Sequence, residues 1–309
     1  MKYFYGPVPS RRLGFSLGVD FFADKSCTFD CLYCQLGKST KHISKRINNF
    51  DLKAFKSQLK EIFKSKPRID YITISGSGEP TLQIGLDKII KIIKKETSHK
   101  YSVCVITNSS LIHRKSIRRE LLAADIIIPS LDAAYDKSFK KINRPGKGTS
   151  LTKIISGLIA LRKEFRGAIW LEIMLAKGIN DSLKEAKRFK ELIKKIKPDK
   201  VQLNLPVRPS DYKVSLPDKE KIKKIKAILS EAAEVVSDFR SKRRAPKIDK
   251  DLTEALMSYL KVRPASIEDL ISSLGKTRKD TLKQLNTLIA KKVVRLSIHK
   301  NKKYYRLND

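Results

Sequence analysis

Six short apolar runs rich in β-branched residues punctuate residues 16–205, and amphipathic stretches separate them. The runs are SLGVDFF (16–22), YITIS (71–75), SVCVIT (102–107), DIIIPSL (125–131), IWLEIML (169–175) and KVQLNL (200–205). Their length and residue types suit strands buried on both faces. In residues 51–66, Leu52, Phe55, Leu59, Ile62 and Phe63 recur at helical spacing, and residues 83–95, 113–123, 150–165 and 181–196 behave alike. Asn180 or Asp181 suits the N-cap of the last of these. A further helix, about 217–236, follows Pro217. Strands alternating with helices predict a parallel sheet with right-handed crossovers. An open doubly wound sheet and a partial barrel both fit this periodicity. Either one gathers ligand-binding groups at the C-terminal ends of the strands. We expect an α/β fold with a partial (β/α)6 barrel of parallel strands in residues 1–236.

SDFRSKRRAPK (237–247) is polar and basic, and predicts a linker over 237–249. Residues 250–309 then read as a small unit of their own. A helix at about 250–261 precedes a short one at 266–273, Gly275 marks a turn, and Thr277 opens a third helix with Asp280 at capping-box spacing. Leu282, Leu285, Leu288 and Ile289 form the buried stripe of that helix. VVRLSIHKNKKYYRL (293–307) predicts a hairpin turning near Asn301. Three helices and a two-stranded wing resemble a winged helix-turn-helix domain.

The chain has four cysteines, three of them within eight residues in KSCTFDCLYCQLG (25–37). Thiols this crowded point to metal rather than to a disulfide framework. Cys104 stands apart in SVCVIT, where a small buried core residue is the expected role. Cys27, Cys31 and Cys34 sit on the loop after the first predicted strand. A [4Fe–4S] cluster has four irons, each usually held by a thiolate, so three thiolates leave one iron open to a ligand. A structural Cys3His zinc site completed by His42 is the alternative, but such sites usually pair two cysteine knuckles.

The Cys27-x3-Cys31-x2-Cys34 loop, with Tyr33 before the last cysteine, resembles the defining loop of the radical S-adenosylmethionine superfamily. The element order over roughly 1–236 agrees with that resemblance, and GPVPSRRLGFSLGVD resembles the opening of a poorly characterised branch of it. The resemblance implies a [4Fe–4S] cluster on Cys27, Cys31 and Cys34, and bound S-adenosylmethionine. It implies that Gly76, Gly78 and Glu79, in SGSGEPTL (75–82), contact the methionine amino group. It implies that polar groups at later strand ends hold the ribose and the methionine carboxylate. The candidates are Thr107 and Asn108, Ser130 and Asp132, Glu172 and Lys177, and Asn204, with Ser130 and Asp132 foremost. Turn capping is the ordinary role of such residues. The implied activity is reductive cleavage of S-adenosylmethionine to a 5′-deoxyadenosyl radical, which needs a reducing electron donor.

No HExxH, Ser-His-Asp order or P-loop occurs, so conventional hydrolase and kinase chemistry lacks support. The net charge is +35, from 67 basic and 32 acidic residues. Such a field attracts polyanions. The charge is spread along the whole chain, however, and its density in 250–309 is similar to that in the rest. Nucleic acid, RNA in particular, is the substrate class favoured by the C-terminal unit. There Arg278, Lys279 and Lys283 lie near the third helix, and Lys300, Lys302 and Lys303 on the wing. Modification of a protein or small metabolite, and a non-catalytic iron–sulfur DNA-binding redox regulator, are the competing readings. Arg11, Arg12, Arg144 and Lys147 could face substrate or simply solvent. No apolar run is long enough to span a membrane, and MKYFYGPVPSRRLG lacks the core of a secretory signal, so a cytoplasmic protein is expected.

Overall fold

The structure is a computed structural model and describes residues 2–308 except 11, 40, 41, 49, 66–68, 230–232, 237–250 and 300. Arg11, Lys300 and the expected linker at 237–249 therefore lie outside the described residues.

An eight-stranded sheet runs in chain order: β1 (Phe4–Ser10), β2 (Gly14–Val19), β3 (Tyr71–Ile74), β4 (Ser102–Thr107), β5 (Ile126–Pro129), β6 (Ala168–Met174), β7 (Lys200–Asn204) and β8 (Ala233–Val235). β1 is antiparallel to β2, and every later pair is parallel. Helices α1 (Leu52–Lys64), α2 (Leu86–Glu96), α3 (Lys115–Leu121), α4 (Asp136–Asn143), α5 (Leu151–Glu164), α6 (Leu183–Ile196) and α7 (Lys219–Leu229) fill the connections. When strand order equals chain order, right-handed crossovers put every helix on one face. Accordingly, α1 packs on α2, α2 on α3, α5 on α6 and α6 on α7. A doubly wound sheet would reverse its strand order, so the partial-barrel alternative is the one realised.

Strand periodicity sorts the side chains onto the two faces. Ile72, Ile74, Val103, Val105, Ile127, Leu171, Ile173, Val201 and Leu203 join the large core beneath the helices. The alternate positions face inward. Cys104, Ile126, Ile128 and Trp170 form a small apolar plug with Leu13. Cys104 is wholly buried in that plug. Ser16, Thr73, Glu172, Gln202 and Asn204 share the inner face and are polar and buried.

Two strands, two helices and one helix cap depart from the sequence expectation. β1 was hidden because FYGPVPS holds two prolines, which cannot donate to a ladder. The strand has β2 as its sole sheet neighbour, so an edge position tolerates them. The expected helix at 217–236 ends at Leu229, and 233–235 form β8. α4 was not anticipated, and Ser182, rather than Asn180 or Asp181, caps α6 by accepting from the Glu185 N–H.

The C-terminal elements are α8 (Leu252–Val262), α9 (Ile267–Leu274), α10 (Arg278–Ala290) and the hairpin β9 (Val294–His299) with β10 (Lys302–Leu307), turning at Asn301. Gly275 caps α9 in the left-handed region, and Thr277 caps α10 by accepting from the Asp280 N–H. Leu256, Tyr259, Leu270, Leu285 and Leu288 form the centre of a second core. Tyr5 and Val8 of β1 belong to that same core. The unit thus packs directly on the edge strand. No helix among the described residues is long and apolar enough to cross a membrane.

Candidate functional site

The parallel strands end on one side of the sheet, and their ends surround a cleft of about 330 Å³. Small-molecule sites are commonly roughly 300–1,000 Å³. Cys27, Tyr33, Cys34, Gly76, Gly78, Glu79, Asn108 and Ser130 all line it.

The cysteine loop is held by its neighbours' backbone. Ser26 donates from its N–H to the Ser77 carbonyl at 2.9 Å, and its own carbonyl accepts from the Glu79 N–H at 2.8 Å. This pairing explains Gly78: a Cβ there would lie 1.9 Å from the Ser26 carbonyl oxygen. Gly76 has a φ of +144°, and a Cβ on it would press on Asp20. The glycines therefore admit the cysteine loop and Asp20, in addition to bordering the cleft. On its far side the loop rests on the end of α4 and the segment after it. The Leu32 N–H donates to the Ile142 carbonyl at 2.9 Å, and the Gly146 N–H donates to the Thr28 carbonyl at 3.0 Å. Arg144 pairs with buried Asp30 at 3.1 Å and stacks on the Tyr212 ring, so it braces the loop rather than facing the cleft. Burial pushes the Asp30 carboxyl up, but hydrogen bonds from Tyr212, Ser39 and Arg144 hold it below the usual carboxylate range.

Glu79 is almost wholly buried. Its Oε1 accepts from the Thr81 N–H (3.0 Å), the Thr81 hydroxyl (2.6 Å) and the Thr107 hydroxyl (2.6 Å). Its Oε2 accepts from the Asn108 N–H alone, at 2.6 Å. An ionised carboxylate offers about four lone-pair sites shared by two oxygens, so Oε2 keeps room for one more donor. Burial pushes this carboxyl up, while those hydrogen bonds pull it down. Glu79 also caps the 3₁₀ turn Pro80–Leu82, so the capping role and an acceptor facing the cleft coexist in one side chain.

Asn108 reaches back to the loop: its Nδ2 donates to the Thr28 hydroxyl at 2.9 Å and towards the Cys27 Sγ at 3.4 Å. Asn143 donates towards the Cys31 Sγ at 3.5 Å and to Asp132 Oδ2 at 2.7 Å. Asp132 accepts the Tyr33 hydroxyl on that same oxygen and the Met174 N–H on the other, at 2.9 Å. Cys31 and Asp132 do not line the cleft. They stand behind it, and Asp132 fixes Tyr33 and Asn143 in place.

The sulfurs are buried enough that the Cys27 thiol is pushed up to about 12 and the Cys31 thiol well above its usual value. Left alone they are neutral; a bound metal's charge is what makes such sulfurs thiolates. Amide donors aimed at two of the sulfurs suit that state, since hydrogen bonds to sulfur tune iron–sulfur centres. These features fit a cluster held by Cys27, Cys31 and Cys34. Among the described residues no group of three or more His, Cys, Asp or Glu is drawn together tightly enough to hold a single metal ion. His42, the fourth ligand of the zinc alternative, instead pairs through Nε2 with the Arg144 carbonyl at 3.0 Å.

Thr107, Glu172 and Asn204 also line the cleft, and Arg12 enters it to pair with Glu172. Lys177 does not; it pairs with Asp218 at the surface at 3.0 Å. Lys147 is exposed. Several lining residues had no sequence signal: Tyr5, whose hydroxyl meets the Ser75 hydroxyl at 2.8 Å, Arg208 after β7, and Val262 and Arg263 from the C-terminal unit. Nothing local marks residues that reach a site from other parts of the chain.

Residues 25–190 match the family model described as the radical SAM superfamily, and the chain belongs to that superfamily. It is accordingly an enzyme of the class that uses a [4Fe–4S] cluster and S-adenosylmethionine. Within it, the chain is 38% identical over 234 residues to the UPF0026 protein MJ1312 of Methanocaldococcus jannaschii, covering 75% of this chain and 72% of that protein. A Brachyspira hyodysenteriae protein described as the GTPase Obg is 37% identical over 300 residues, which are 96% of this chain but 44% of that protein. The chain thus spans less than half of that relative, and it has no P-loop of its own. A probable dual-specificity RNA methyltransferase RlmN of Thermotoga petrophila is 25% identical over 211 residues, 67% of this chain and 59% of that protein. Among solved structures, a radical SAM methyltransferase from Sphaerobacter thermophilus shares the fold. Its TM-score is 0.54 at 19% identity, and the match covers 71% of this chain and 66% of that one.

Proposed function

We propose that this enzyme reductively cleaves S-adenosylmethionine and directs the radical chemistry at an RNA substrate docked against the C-terminal unit. The observation that carries the first part is the single cleft that gathers Cys27, Cys34, Gly76, Gly78, Glu79, Asn108 and Ser130 from the ends of successive strands. Together, when bound, cluster and S-adenosylmethionine supply one-electron cleavage to methionine and a 5′-deoxyadenosyl radical. Cys27, Cys31 and Cys34 would hold the cluster, and Asn108 and Asn143 would donate to its sulfurs. Glu79 Oε2 would accept from the methionine ammonium. Asn108 and Ser130 would provide polar contacts along the cofactor. The apolar cluster around Cys104 and Trp170, two of whose members, Leu13 and Ile106, line the cleft, adds a dry surface to it.

The RNA assignment draws on the similarity to a protein described as an RNA methyltransferase, on the net charge of +35, and on the exposed Lys279, Lys283, Lys302 and Lys303. The test is anaerobic. Cluster-reconstituted protein is reduced, given S-adenosylmethionine, and assayed for 5′-deoxyadenosine while its electron paramagnetic resonance is recorded. Product together with a spectrum altered by the cofactor is expected. An intact cluster giving neither would favour the non-catalytic redox regulator. Retention of RNA that falls steeply with salt is expected for the substrate assignment. Retention indifferent to salt would return attention to a protein or metabolite substrate.

A further inference from the structure

The cleft has a wall that the catalytic core does not supply. The junction between α8 and α9 brings Val262 and Arg263 to the same cavity as Cys27 and Glu79. This junction is firmly seated. Arg263 donates through Nη2 to the Pro9 carbonyl at 3.2 Å and to the Tyr259 hydroxyl, and its guanidinium lies over the Tyr259 ring at 4.8 Å. Arg208 donates to the Pro264 carbonyl at 2.7 Å and to Asp269 at 3.2 Å. Lys261 donates to the Phe22 carbonyl at 3.0 Å.

The other guanidinium groups of the cleft are committed: Arg12 pairs with Glu172, and Arg208 with Asp269. Arg263 forms no ion pair with a carboxylate among the described residues. Asp269, whose charge it feels, gives its oxygens to Arg208 and to the Ser266 N–H. The Arg263 Nε is buried and has no hydrogen-bond partner among the described residues. A buried donor without an acceptor is uncommon in a native protein and costs stability. A guanidinium that lines the cleft, is anchored from behind and makes no direct ion pair with a carboxylate among the described residues is suited to receive a planar or tetrahedral oxyanion.

We propose that Arg263 is a substrate-positioning residue that binds a phosphate of the RNA substrate beside the nucleotide to be modified. This rests on the enzyme reading above and names the group by which the substrate is held. It also gives the C-terminal unit a part in the active site itself, rather than only in outer docking.

The test uses the full chain, cluster-loaded and with S-adenosylmethionine present, and inorganic phosphate as the probe at constant ionic strength against chloride. Affinity is read by calorimetry and thermal shift for the native protein, Arg263→Gln, Arg263→Lys and the surface control Lys279→Gln. Phosphate is expected to stabilise the native protein and Lys279→Gln equally. Its affinity is expected to fall at least fivefold in Arg263→Gln and less in Arg263→Lys, which keeps the charge and loses the fork. Equal phosphate affinity in the native protein and Arg263→Gln overturns the proposal, as does a native protein that responds to phosphate no more than to chloride. Should Arg263→Gln fold poorly, Arg263→Lys carries the comparison. S-adenosylmethionine affinity is measured in parallel: a loss in Arg263→Gln as large as the loss of phosphate affinity would overturn the proposal and assign the guanidinium to the cofactor instead. A single-stranded oligoribonucleotide is expected to displace the bound phosphate. Displacement by ribose 5-phosphate but not by the oligomer would overturn the RNA assignment in favour of a phosphorylated metabolite. Phosphate binding is read without turnover, so its failure leaves the cleavage reading standing.

Discussion

Two walls of the cleft are built differently. The wall made by the cysteine loop and the ends of β3 and β4 is held by backbone hydrogen bonds and buried carboxylates, and it tolerates almost no added volume. Ser26 lies on Gly78, Thr107 and Asn108 grip Glu79, and Asp132 ties Tyr33 to Asn143. The other wall, from the C-terminal unit, is attached by side chains. Arg208, Lys261 and Arg263 reach backbone carbonyls and Asp269, while Tyr5 and Val8 supply apolar contact. A wall of backbone pairings fixes geometry closely, as a cofactor site requires. A wall of long side chains can vary without disturbing the first, which suits a surface that selects substrate.

The difference can be broken first at the sulfurs. Replacing Cys27, Cys31 or Cys34 by Ala is expected to abolish iron–sulfur absorption and 5′-deoxyadenosine formation together, whereas Cys104→Ala leaves the absorption intact. A full cluster in any of the first three variants would contradict the assignment. Next in size is Gly78→Val. Its side chain would collide with backbone that has nowhere to move, so we expect a loss of about 3 kcal/mol or more in denaturant unfolding, and poor cluster retention. Asp132→Ala would leave the Tyr33 hydroxyl and the Asn143 amide without their shared acceptor. An expected cost of roughly 1–3 kcal/mol, with weaker cluster retention but unchanged RNA binding, would mark it as a support of the first wall.

The second wall should yield more gently. Arg208→Ala is expected to lower thermal stability by about 1–2 kcal/mol while iron–sulfur absorption stays unchanged. The smallest effect carries a pH signature. Burial pushes the Asp269 carboxyl up, but the charges of Arg208 and Arg263 outweigh it and hold it below the usual range. A depressed carboxylate contributes stability above its unfolded pKa and loses it as pH falls through the folded value. The native protein and Asp269→Asn should therefore differ near neutrality by about 1 kcal/mol and converge below about pH 4 in thermal melts. A gap that persisted in acid would place the Asp269 contribution in packing rather than charge.

Much of the first wall was legible in the chain. Cys27, Cys31, Cys34, Tyr33, Gly76, Gly78, Glu79 and Asn108 lie in two short motifs and at one strand end; the crowding of the cysteines marks the first motif, and the family resemblance pointed to the others. What spacing could not assign was the work of each. Gly78 was expected to admit a ligand, and it also admits the backbone of Ser26. Asp132 was expected at the cofactor, and it stands behind the cleft. Arg144 was weighed as a substrate contact, and it braces Asp30. β1 was concealed by its prolines, since strand propensity describes a paired interior better than an edge.

The alternation of strands and helices, the cysteine loop and the two polar–apolar faces were written in the chain, because these follow from residue type and from periods of two and 3.6 residues. That the barrel stays open beside β1, that α8 and α9 pack on that edge, and that Arg263 reaches the cleft beside Cys27 and Glu79 came from packing between distant segments. Those outcomes depend on which apolar surfaces find each other across some 250 residues of chain. A contact between such distant positions leaves no local pattern, because its energy comes from burying two surfaces together and not from either sequence alone.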